Sequence, residues 1–270
     1  MDFYGLLGEK LSHSLSPRIH KIIFEAIEVE GAYKLFEVPK GSLKDFTDAF
    51  RVLKIKGSSV TIPYKEEIIQ YLDVISPEAQ RIGAVNTISL IDNKLCGYNT
   101  DYYGFGYMLE VHKVKLENQV VVILGNGGAT KSAMYYLLDN GVNKVYIVSR
   151  NPEKPMEISD ERVELIGYDE LKNIKGDIII NATPVGMFPK EDVSPVDEDI
   201  IKNFDTIVDI IYNPSMTQFL FKGQALGKKT IGGLYMLIGQ GVKAQEIWQK
   251  RAIDERVIKD VYEILNREFS

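Results

Sequence analysis

The fold of this chain is decided by the stretch Val122-Ile123-Leu124-Gly125-Asn126-Gly127-Gly128-Ala129-Thr130-Lys131-Ser132. The aliphatic run that leads into it from Val120 predicts a buried strand, the glycines predict a tight turn, and a helical pattern follows through Leu138. Glycines allow a backbone to approach a pyrophosphate, and the free N–H groups at the start of the helix face the anion. We therefore predict a Rossmann-type nucleotide-binding domain, with a phosphate cradle made of Gly125, Asn126, Gly127, Gly128 and Ala129.

A second predicted strand, Lys144–Val148, ends in the residues that select the type of nucleotide. An acidic residue at this strand end holds the ribose 2′-hydroxyl of NAD, whereas an arginine suits the 2′-phosphate of NADP. Ser149 and Arg150 follow the strand here, so NADP is the predicted cofactor. The spacing G-x-G-G-A places Thr130 where a third glycine is usual. Because any tight strand-to-helix turn favours glycine, a turn that binds no nucleotide is the alternative.

The composition is that of a globular protein, with 45% hydrophobic and 26% charged residues in a chain of 270. This length allows one large domain or two of ordinary size. A net charge of -6 and the lack of a long basic run argue against nucleic acid as a partner. We find no secretory signal and no apolar run near the ~18 residues of a membrane span, so no membrane partner is expected. The single cysteine, Cys96, rules out an internal disulfide and favours a reducing, cytoplasmic compartment.

Strand-like and helix-like segments alternate along the chain, which favours an α/β fold with two domains. Residues 1–101 are assigned to a first α/β domain, in which residues 85–91 and 94–98 form a hairpin. Residues 102–235 form the nucleotide-binding domain. The helices expected in residues 236–270 lie too far along the chain to complete its sheet, and they are predicted to pack back on the first domain. The active site is expected in the cleft between the domains.

Polar residues cluster where predicted elements of the first half begin or end. The clusters are residues 12–17, 60–65, 83–87 and 97–101. Their hydroxyls, amides, lysine and carboxylate suit a small polyhydroxylated acid as ligand, because strand ends present side chains to ligands. They do not suit a metal, since His13, His20 and His112 lack the spacing of metal ligands.

Each cluster also has a purely structural interpretation. Ser16 is the expected N-cap of a helix whose first residue is Pro17. Asn86 can be a turn residue, and Lys65 and Asp101 can be solvated surface. The coincidence of all the clusters with an NADP-type site favours ligand binding.

Short motifs run in order through nearly the whole chain. In the first half they are S-x-S-P-x-x-H at 14–20, V-T-x-P-x-K at 60–65, G-A-x-N-T at 83–87 and N-T-D at 99–101. In the second half they are G-x-G-G-A at 125–129, N-A-T-P-x-G-M at 181–187, D-x-x-Y-x-P at 209–214 and G-L-x-M-L-x-x-Q at 233–240. This set resembles the shikimate dehydrogenase family. The resemblance implies NADPH-dependent, reversible reduction of 3-dehydroshikimate to shikimate, on the route to chorismate and the aromatic amino acids.

The resemblance also implies roles for individual residues. Lys65 and Asp101 are the implied catalytic pair, and both also contact the substrate. The other implied substrate-binding residues are Ser14 and Ser16 for the carboxylate, Thr61, Asn86 and Gln240 for the ring hydroxyls, and Tyr212 from across the cleft. Besides the glycine turn, the implied NADP-binding residues are Ser149, Arg150, Asn151 and Lys154 at the 2′-phosphate, and Thr183, Met187, Ile210 and Gly233 on the nicotinamide side.

The chain departs from the family's usual pattern at a few positions. Ser59 stands where the family often has asparagine, Ser149-Arg150-Asn151 replaces N-R-T, Gly232 replaces a frequent aspartate, and Tyr235 fills a position that is often glycine. These departures bear on the strength and preference of cofactor binding. The role of Lys65, as proton shuttle or as fixed cation, stays open, and we favour a shuttle steered by Asp101.

Other functions remain as alternatives. A quinate/shikimate dehydrogenase with relaxed cofactor use differs only in the shape of its pocket. A folate-type methylene dehydrogenase shares the two-domain layout but does not need S-x-S-P or N-T-D. A catalytically silent sensor of NADPH or a shikimate-like acid does not need Lys65 or Asp101. The chain is expected to be a monomer or a homodimer.

Overall fold

The computed structural model describes residues 1–12, 14–153 and 160–269, and the chain divides into two compact units. The first unit comprises Met1–Gly104 with Ile238–Glu268, and the second comprises Phe105–Leu237. Both units are made of alternating strands and helices, as the sequence predicts. The assignment of substrate to residues 1–101 and 236–270, and of NADP to residues 102–235, stays a prediction.

The first unit is built on a six-stranded mixed sheet. Its strands are β1 (Asp2–Gly8), β2 (Gly31–Glu37), β3 (Gly57–Val60), β4 (Val74–Ile75), β5 (Thr87–Ile91) and β6 (Lys94–Tyr98). They lie in the order β2-β1-β3-β5-β6-β4. Strands β5 and β6 are the predicted antiparallel hairpin. The φ angles of Asp92 and Asn93, 48° and 63°, are those that a tight two-residue hairpin turn requires.

The helices of this part of the chain are α1 (Ser16–Ala26), α2 (Leu43–Val52), α3 (Pro77–Ile82) and α4 (Thr100–Val111). The buried side chains of α1 and α2 recur at helical spacing, which is why the periodicity of the sequence located both helices. A 3-10 helix at Glu67–Tyr71, strand β4 and helix α3 were not predicted, because elements this short show no period.

The predicted cap of α1 is wrong. The helix begins at Ser16 itself, and Leu15, whose backbone already has helical angles, occupies the N-cap position. The hydroxyl of Ser14 accepts a hydrogen bond from the Ser16 N–H at 3.2 Å. An N–H group at the start of a helix lacks a partner within the helix, and here the upstream serine supplies one.

The second unit contains a six-stranded sheet in which every pair of strands is parallel. Its elements are β7 (Val120–Leu124), α5 (Gly128–Asp139), β8 (Lys144–Val148), β9 (Val163–Ile166), α6 (Tyr168–Leu171), β10 (Ile178–Asn181), α7 (Glu198–Ile201), β11 (Thr206–Asp209), α8 (Gln218–Ala225) and β12 (Lys229–Ile231). The order β12-β11-β10-β7-β8-β9 is that of the dinucleotide-binding Rossmann fold, which confirms the predicted fold class. The order reverses between β7 and β10, where such folds bind their ligand.

The C-terminal helices are α9 (Leu234–Gln249) and α10 (Glu255–Phe269). Trp248 of α9 is buried in the first unit, where its indole N–H donates to the Ile88 carbonyl at 2.9 Å. Its ring lies 5.1 Å from that of Tyr4 on β1. An aromatic side chain of this size contributes substantially to a core, so the prediction that the C-terminal helices pack back on the first domain is confirmed.

Candidate active site

Lys65 and Asp101 form a short ion pair in the first unit. The Lys65 Nζ atom lies 2.6 Å from Asp101 Oδ2, and the side chains are 20% and 5% exposed. Lys65 follows β3, and its carbonyl accepts a hydrogen bond from the Val85 N–H at 2.7 Å. Asp101 lies in the first turn of α4. The two side chains are therefore brought together by tertiary structure and are not separate surface charges.

Asn86 lies at the centre of a buried polar network. Its amide oxygen accepts hydrogen bonds from the Thr100 N–H at 2.6 Å and from the Thr100 and Thr87 hydroxyls, each at 3.2 Å. Its amide nitrogen donates to Gln240 Oε1 on α9 at 3.3 Å. A planar amide has two N–H donors, and among the described residues only one of those of Asn86 has a partner, so the other is available to a ligand. The structure thus brings Asn86 and Gln240 together, as the prediction requires, and Thr61 lies half-buried at the end of β3.

One of the predicted serines, Ser16, is joined to Ser59 by a tyrosine, Tyr33, that the sequence did not single out. The hydroxyl oxygens of Tyr33 and Ser59 lie 3.0 Å apart, and the Ser16 hydroxyl also hydrogen-bonds to Tyr33. Burial raises the pKa of Tyr33, so its phenol stays protonated. No local signal in the sequence marks Tyr33, because it lies in β2 and meets Ser59, 26 residues away, only in the folded protein.

His20 packs against Tyr33 in the core of the first unit. It is 2% exposed, its ring stacks on Tyr33 at 4.2 Å, and its Nδ1 accepts from Gln245 Nε2 at 2.9 Å. Burial lowers the pKa of His20 to about 3. A neutral imidazole is therefore part of the core that supports Tyr33.

Acid should destabilise the first unit through His20. The unfolded chain takes up a proton near the usual histidine pKa of ~6.5 while the folded chain does not, so stability is lost as the pH falls below that value. Between pH 7.5 and pH 5 the loss is about 2 kcal/mol. His20→Gln should remove this part of the pH dependence, as followed by the fluorescence of Trp248, the single tryptophan. His112→Gln in the second unit is the control and should keep it. An identical pH dependence in wild type and His20→Gln would contradict the assignment.

The glycine turn of the second unit has the shape of a phosphate cradle. Gly125 has a φ of 101°, and a Cβ atom there would lie 3.0 Å from Thr183 Cγ2 and 3.2 Å from the Ala182 carbonyl oxygen. Gly127 and Gly128 face open space, with no atom within 4 Å of a Cβ placed on them. Thr130, at the position of the usual third glycine, donates its hydroxyl to the Gly125 carbonyl at 3.0 Å. The turn therefore fits a pyrophosphate at the N-terminus of α5.

A cavity of about 430 Å³ opens beside Arg150. Its lining residues are Ser149, Arg150, Pro152, Gly167, Tyr168, Asp169 and Glu170. The Ser149 hydroxyl accepts from the Asn151 N–H at 3.1 Å, which shapes the loop after β8. Both acidic side chains of the lining have partners within the protein. Glu170 accepts a hydrogen bond from the Gly167 N–H at 2.7 Å, and Asp169 pairs with Lys172 at 3.0 Å. An exposed guanidinium beside a cavity suits a phosphate. Lys154, predicted with this group, lies outside the described residues.

The residues predicted on the nicotinamide side follow three strands of the second unit, with Thr183 and Met187 after β10, Ile210 after β11 and Gly233 after β12. Thr183 donates its hydroxyl to Asn181 Oδ1 at 2.6 Å, and Met187 is 46% exposed. A Cβ atom on Gly233 would lie 2.1 Å from the Ile210 carbonyl oxygen, so only glycine fits against Ile210. The second unit thus places this group at the carboxyl ends of its strands, where Rossmann folds bind ligands.

Tyr212 is half-buried in the second unit, and burial raises its pKa. The remaining substrate residues, Ser14, Ser16, Thr61, Lys65, Asn86, Asp101 and Gln240, belong to the first unit. Within the described part of the chain, no group of three His, Cys, Asp or Glu side chains is placed to hold a metal ion. Nor is any helix there both long and apolar enough to cross a bilayer.

Comparisons with known proteins show which family the chain is similar to. Residues 6–88 match the family described as shikimate dehydrogenase substrate binding domain, and residues 109–214 match shikimate / quinate 5-dehydrogenase. The chain is 54% identical to the shikimate dehydrogenase (NADP(+)) of Clostridium beijerinckii over 269 residues, which is 100% of both chains.

Solved structures show the same fold. Shikimate dehydrogenase 1 from Peptoclostridium difficile is 52% identical and has a TM-score of 0.94, covering 100% of this chain and 99% of its own. Shikimate 5-dehydrogenase from Thermus thermophilus, solved with NADP(H) and shikimate, is 31% identical with a TM-score of 0.88 and covers 97% of this chain and 99% of its own. The similarity therefore extends over both units.

Proposed function

Since this chain belongs to the shikimate dehydrogenase family and interconverts shikimate and 3-dehydroshikimate with NADP(H), we propose that Lys65 and Asp101 carry its chemical step. The supporting observation is their 2.6 Å ion pair, whose carboxylate is almost wholly buried. A buried pair of this kind is costly to maintain by itself, so it is more readily explained by chemistry than by stability.

In the proposed step, Lys65 transfers the proton and Asp101 orients Lys65. NADPH, when bound, supplies the hydride that adds to the ketone carbon. As the C=O bond becomes a C–O⁻ bond, the Lys65 ammonium gives the oxygen its proton, so that the product is a neutral hydroxyl. In the reverse direction the Lys65 amine takes the hydroxyl proton. Asp101 orients the Lys65 amine through their hydrogen bond.

The substrate is held by hydroxyls and amides of the first unit. We assign the ring hydroxyls to Thr61, to the free N–H of Asn86 and to Gln240. We assign the carboxylate to Ser14 and Ser16 near the N-terminus of α1, where N–H groups favour an anion. Tyr33 supports Ser16 through their hydrogen bond. Tyr212 is assigned to the same substrate from the second unit.

NADP is assigned to the second unit. The pyrophosphate is placed on Gly125, Asn126, Gly127, Gly128 and Ala129, and the 2′-phosphate on Ser149, Arg150 and Asn151, with Lys154. The nicotinamide side is assigned to Thr183, Met187, Ile210 and Gly233. The open space at the glycine turn and the cavity beside Arg150 support this placement.

The two serines give a prediction about substrate affinity. Ser16→Ala should raise the KM for shikimate about tenfold, the scale of one hydrogen bond to a charged group, with little change in melting temperature. Ser14→Ala should raise KM as well, but it also removes the acceptor for the Ser16 N–H and should cost about 1 kcal/mol of stability. Steady-state kinetics and thermal melts separate these effects. A melting loss with an unchanged KM in both variants would assign the serines to structure alone.

Absorbance at the NADPH band tests the proposal and its alternatives together. Shikimate and quinate are each offered with NADP and with NAD. Turnover of quinate, or of NAD, at a comparable rate would support the relaxed quinate/shikimate dehydrogenase. A solved neighbour, a quinate dehydrogenase from Corynebacterium glutamicum in complex with NAD, is 27% identical, which keeps this alternative open. No turnover at all would support the silent sensor.

The compartment and the oligomeric state of the protein are proposals as well. We propose a cytoplasmic enzyme, because its single cysteine, Cys96, is buried and unpaired. We propose a monomer or a homodimer. Size-exclusion chromatography with light scattering decides between the two.

A further inference from the structure

A buried carboxylate, that of Asp209, joins two neighbouring strand ends in the second unit. Asp209 is the last residue of β11 and is 0% exposed. Its oxygens accept hydrogen bonds from Asn181 Nδ2 at 3.1 and 3.2 Å, from the Thr217 hydroxyl at 2.7 Å and from the Ile211 N–H at 3.0 Å. No salt bridge to Asp209 occurs in the described ranges. Burial raises the pKa of the Asp209 carboxyl to about 7, and only the hydrogen bonds from neutral donors oppose this rise.

The network continues from Asp209 into the loop after β10. Asn181 donates to the Val185 carbonyl at 3.1 Å, and its amide oxygen accepts from the Thr183 N–H at 3.1 Å and the Thr183 hydroxyl at 2.6 Å. The Thr183 hydroxyl in turn accepts from the Val185 N–H at 3.2 Å. Thr183 also contacts the glycine turn, where its Cγ2 limits the space at Gly125. The position of Thr183 thus depends on the orientation of the Asn181 amide, and Asp209 determines that orientation.

The segment after β11 is held from two sides. Asp209 binds the Ile211 N–H, and the Gly233 N–H donates to the Ile211 carbonyl at 3.0 Å. The Gly233 backbone closes on the Ile210 carbonyl, where no side chain fits. The peptide of Ile210 therefore has little freedom as long as Asp209 keeps its bonds.

We propose that Asp209 is a positioning residue for hydride transfer, which fixes Thr183 and Ile210 so that the nicotinamide ring is presented in one orientation. The proposal rests on the proposed function, because it takes the nicotinamide side from that assignment. Asp209 itself is not a catalytic residue, because its side chain is buried and its oxygens accept hydrogen bonds from the protein itself. Asparagine has the same shape, but an NH₂ group replaces one carboxylate oxygen. That group is a donor, so it cannot accept the hydrogen bonds that Asn181, Thr217 and Ile211 donate to Asp209.

The test separates positioning from stability by two measurements, the rate of hydride transfer at the nicotinamide and the affinity for the adenosine part of the cofactor. In Asp209→Asn, single-turnover hydride transfer from shikimate to NADP should slow about tenfold or more, the scale seen when an outer hydrogen-bonding partner of a site is lost. The dissociation constant of 2′,5′-ADP, which lacks the nicotinamide, should stay that of wild type. Both are measured well below the melting temperature of the variant. A merely structural aspartate would leave the hydride-transfer rate of the folded protein unchanged.

Variants of Thr217 keep the proposal testable if Asp209→Asn does not fold. Thr217→Val keeps the shape and removes the hydroxyl that binds Asp209, while Thr217→Ser keeps the hydroxyl. The valine variant should slow hydride transfer with unchanged 2′,5′-ADP binding, and the serine variant should restore it. Equal, wild-type rates in both would overturn the proposal. Failure of the proposed function is seen separately, as lack of shikimate oxidation by the wild-type protein.

Discussion

Replacing Lys65 with methionine is expected to lower turnover by about 10²-fold or more, the usual scale for a lost general acid–base group. Methionine keeps the length of the side chain and removes its charge, so NADPH affinity should hardly change. Asp101, whose side chain is 5% exposed, then loses its partner, and some loss of stability is expected. Steady-state kinetics and NADPH titration, both below the melting temperature, measure the two effects.

Two further variants sharpen this prediction. Lys65→Arg keeps the positive charge but cannot release a proton at neutral pH, so a proton shuttle predicts a loss similar to that of methionine. A fixed cation predicts that arginine retains much of the activity. Lys44→Met is the matched control, because Lys44 also pairs with an aspartate, Asp48 at 2.7 Å, but on an exposed helix face. Near-normal turnover in Lys65→Met would end the proposal that Lys65 acts in the chemical step.

Replacing Arg150 with alanine is expected to weaken the binding of NADP by about ten- to hundred-fold while leaving the binding of NAD nearly unchanged. A guanidinium grips a phosphate with two parallel hydrogen bonds, and charged hydrogen bonds contribute roughly 1.5–3 kcal/mol. NAD has no 2′-phosphate to lose. The quantity to measure is kcat/KM for NADP and for NAD, in wild type and variant at one ionic strength, because salt screens an exposed charge.

A nearby cation provides the control for Arg150. Lys172 pairs with Asp169, a residue that lines the same cavity, so Lys172→Ala removes one positive charge from the neighbourhood without removing the proposed phosphate ligand. Lys172→Ala should change kcat/KM for NADP and kcat/KM for NAD only slightly and by the same factor. If the ratio of kcat/KM for NADP to kcat/KM for NAD is the same in Arg150→Ala as in wild type, Arg150 does not bind the 2′-phosphate.

The parts of the fold that the sequence predicts are those with strong local patterns. The strand–turn–helix from Val120 to Asp139 is confirmed because an aliphatic run, glycines and a helical period follow one another within a short stretch. The hairpin at Asp92 is confirmed for the same reason, since turn residues carry their own backbone preference. Local patterns failed where elements were too short, as in β4 and α3, and at the start of α1, where the helix began at Ser16 itself.

The sequence by itself determined the fold class, the glycine turn and, by family resemblance, the candidate site residues. Only the tertiary structure decided which of them touch. Asn86 and Gln240 are 154 residues apart, and Tyr33 meets Ser59 across 26 residues. Nothing in the local sequence marks Asp209 as the acceptor of bonds from Asn181 and Thr217. The physical reason is that backbone propensity and periodicity act over a few residues, whereas a hydrogen bond between distant side chains exists only once the packing of sheets and helices has brought them within about 3 Å.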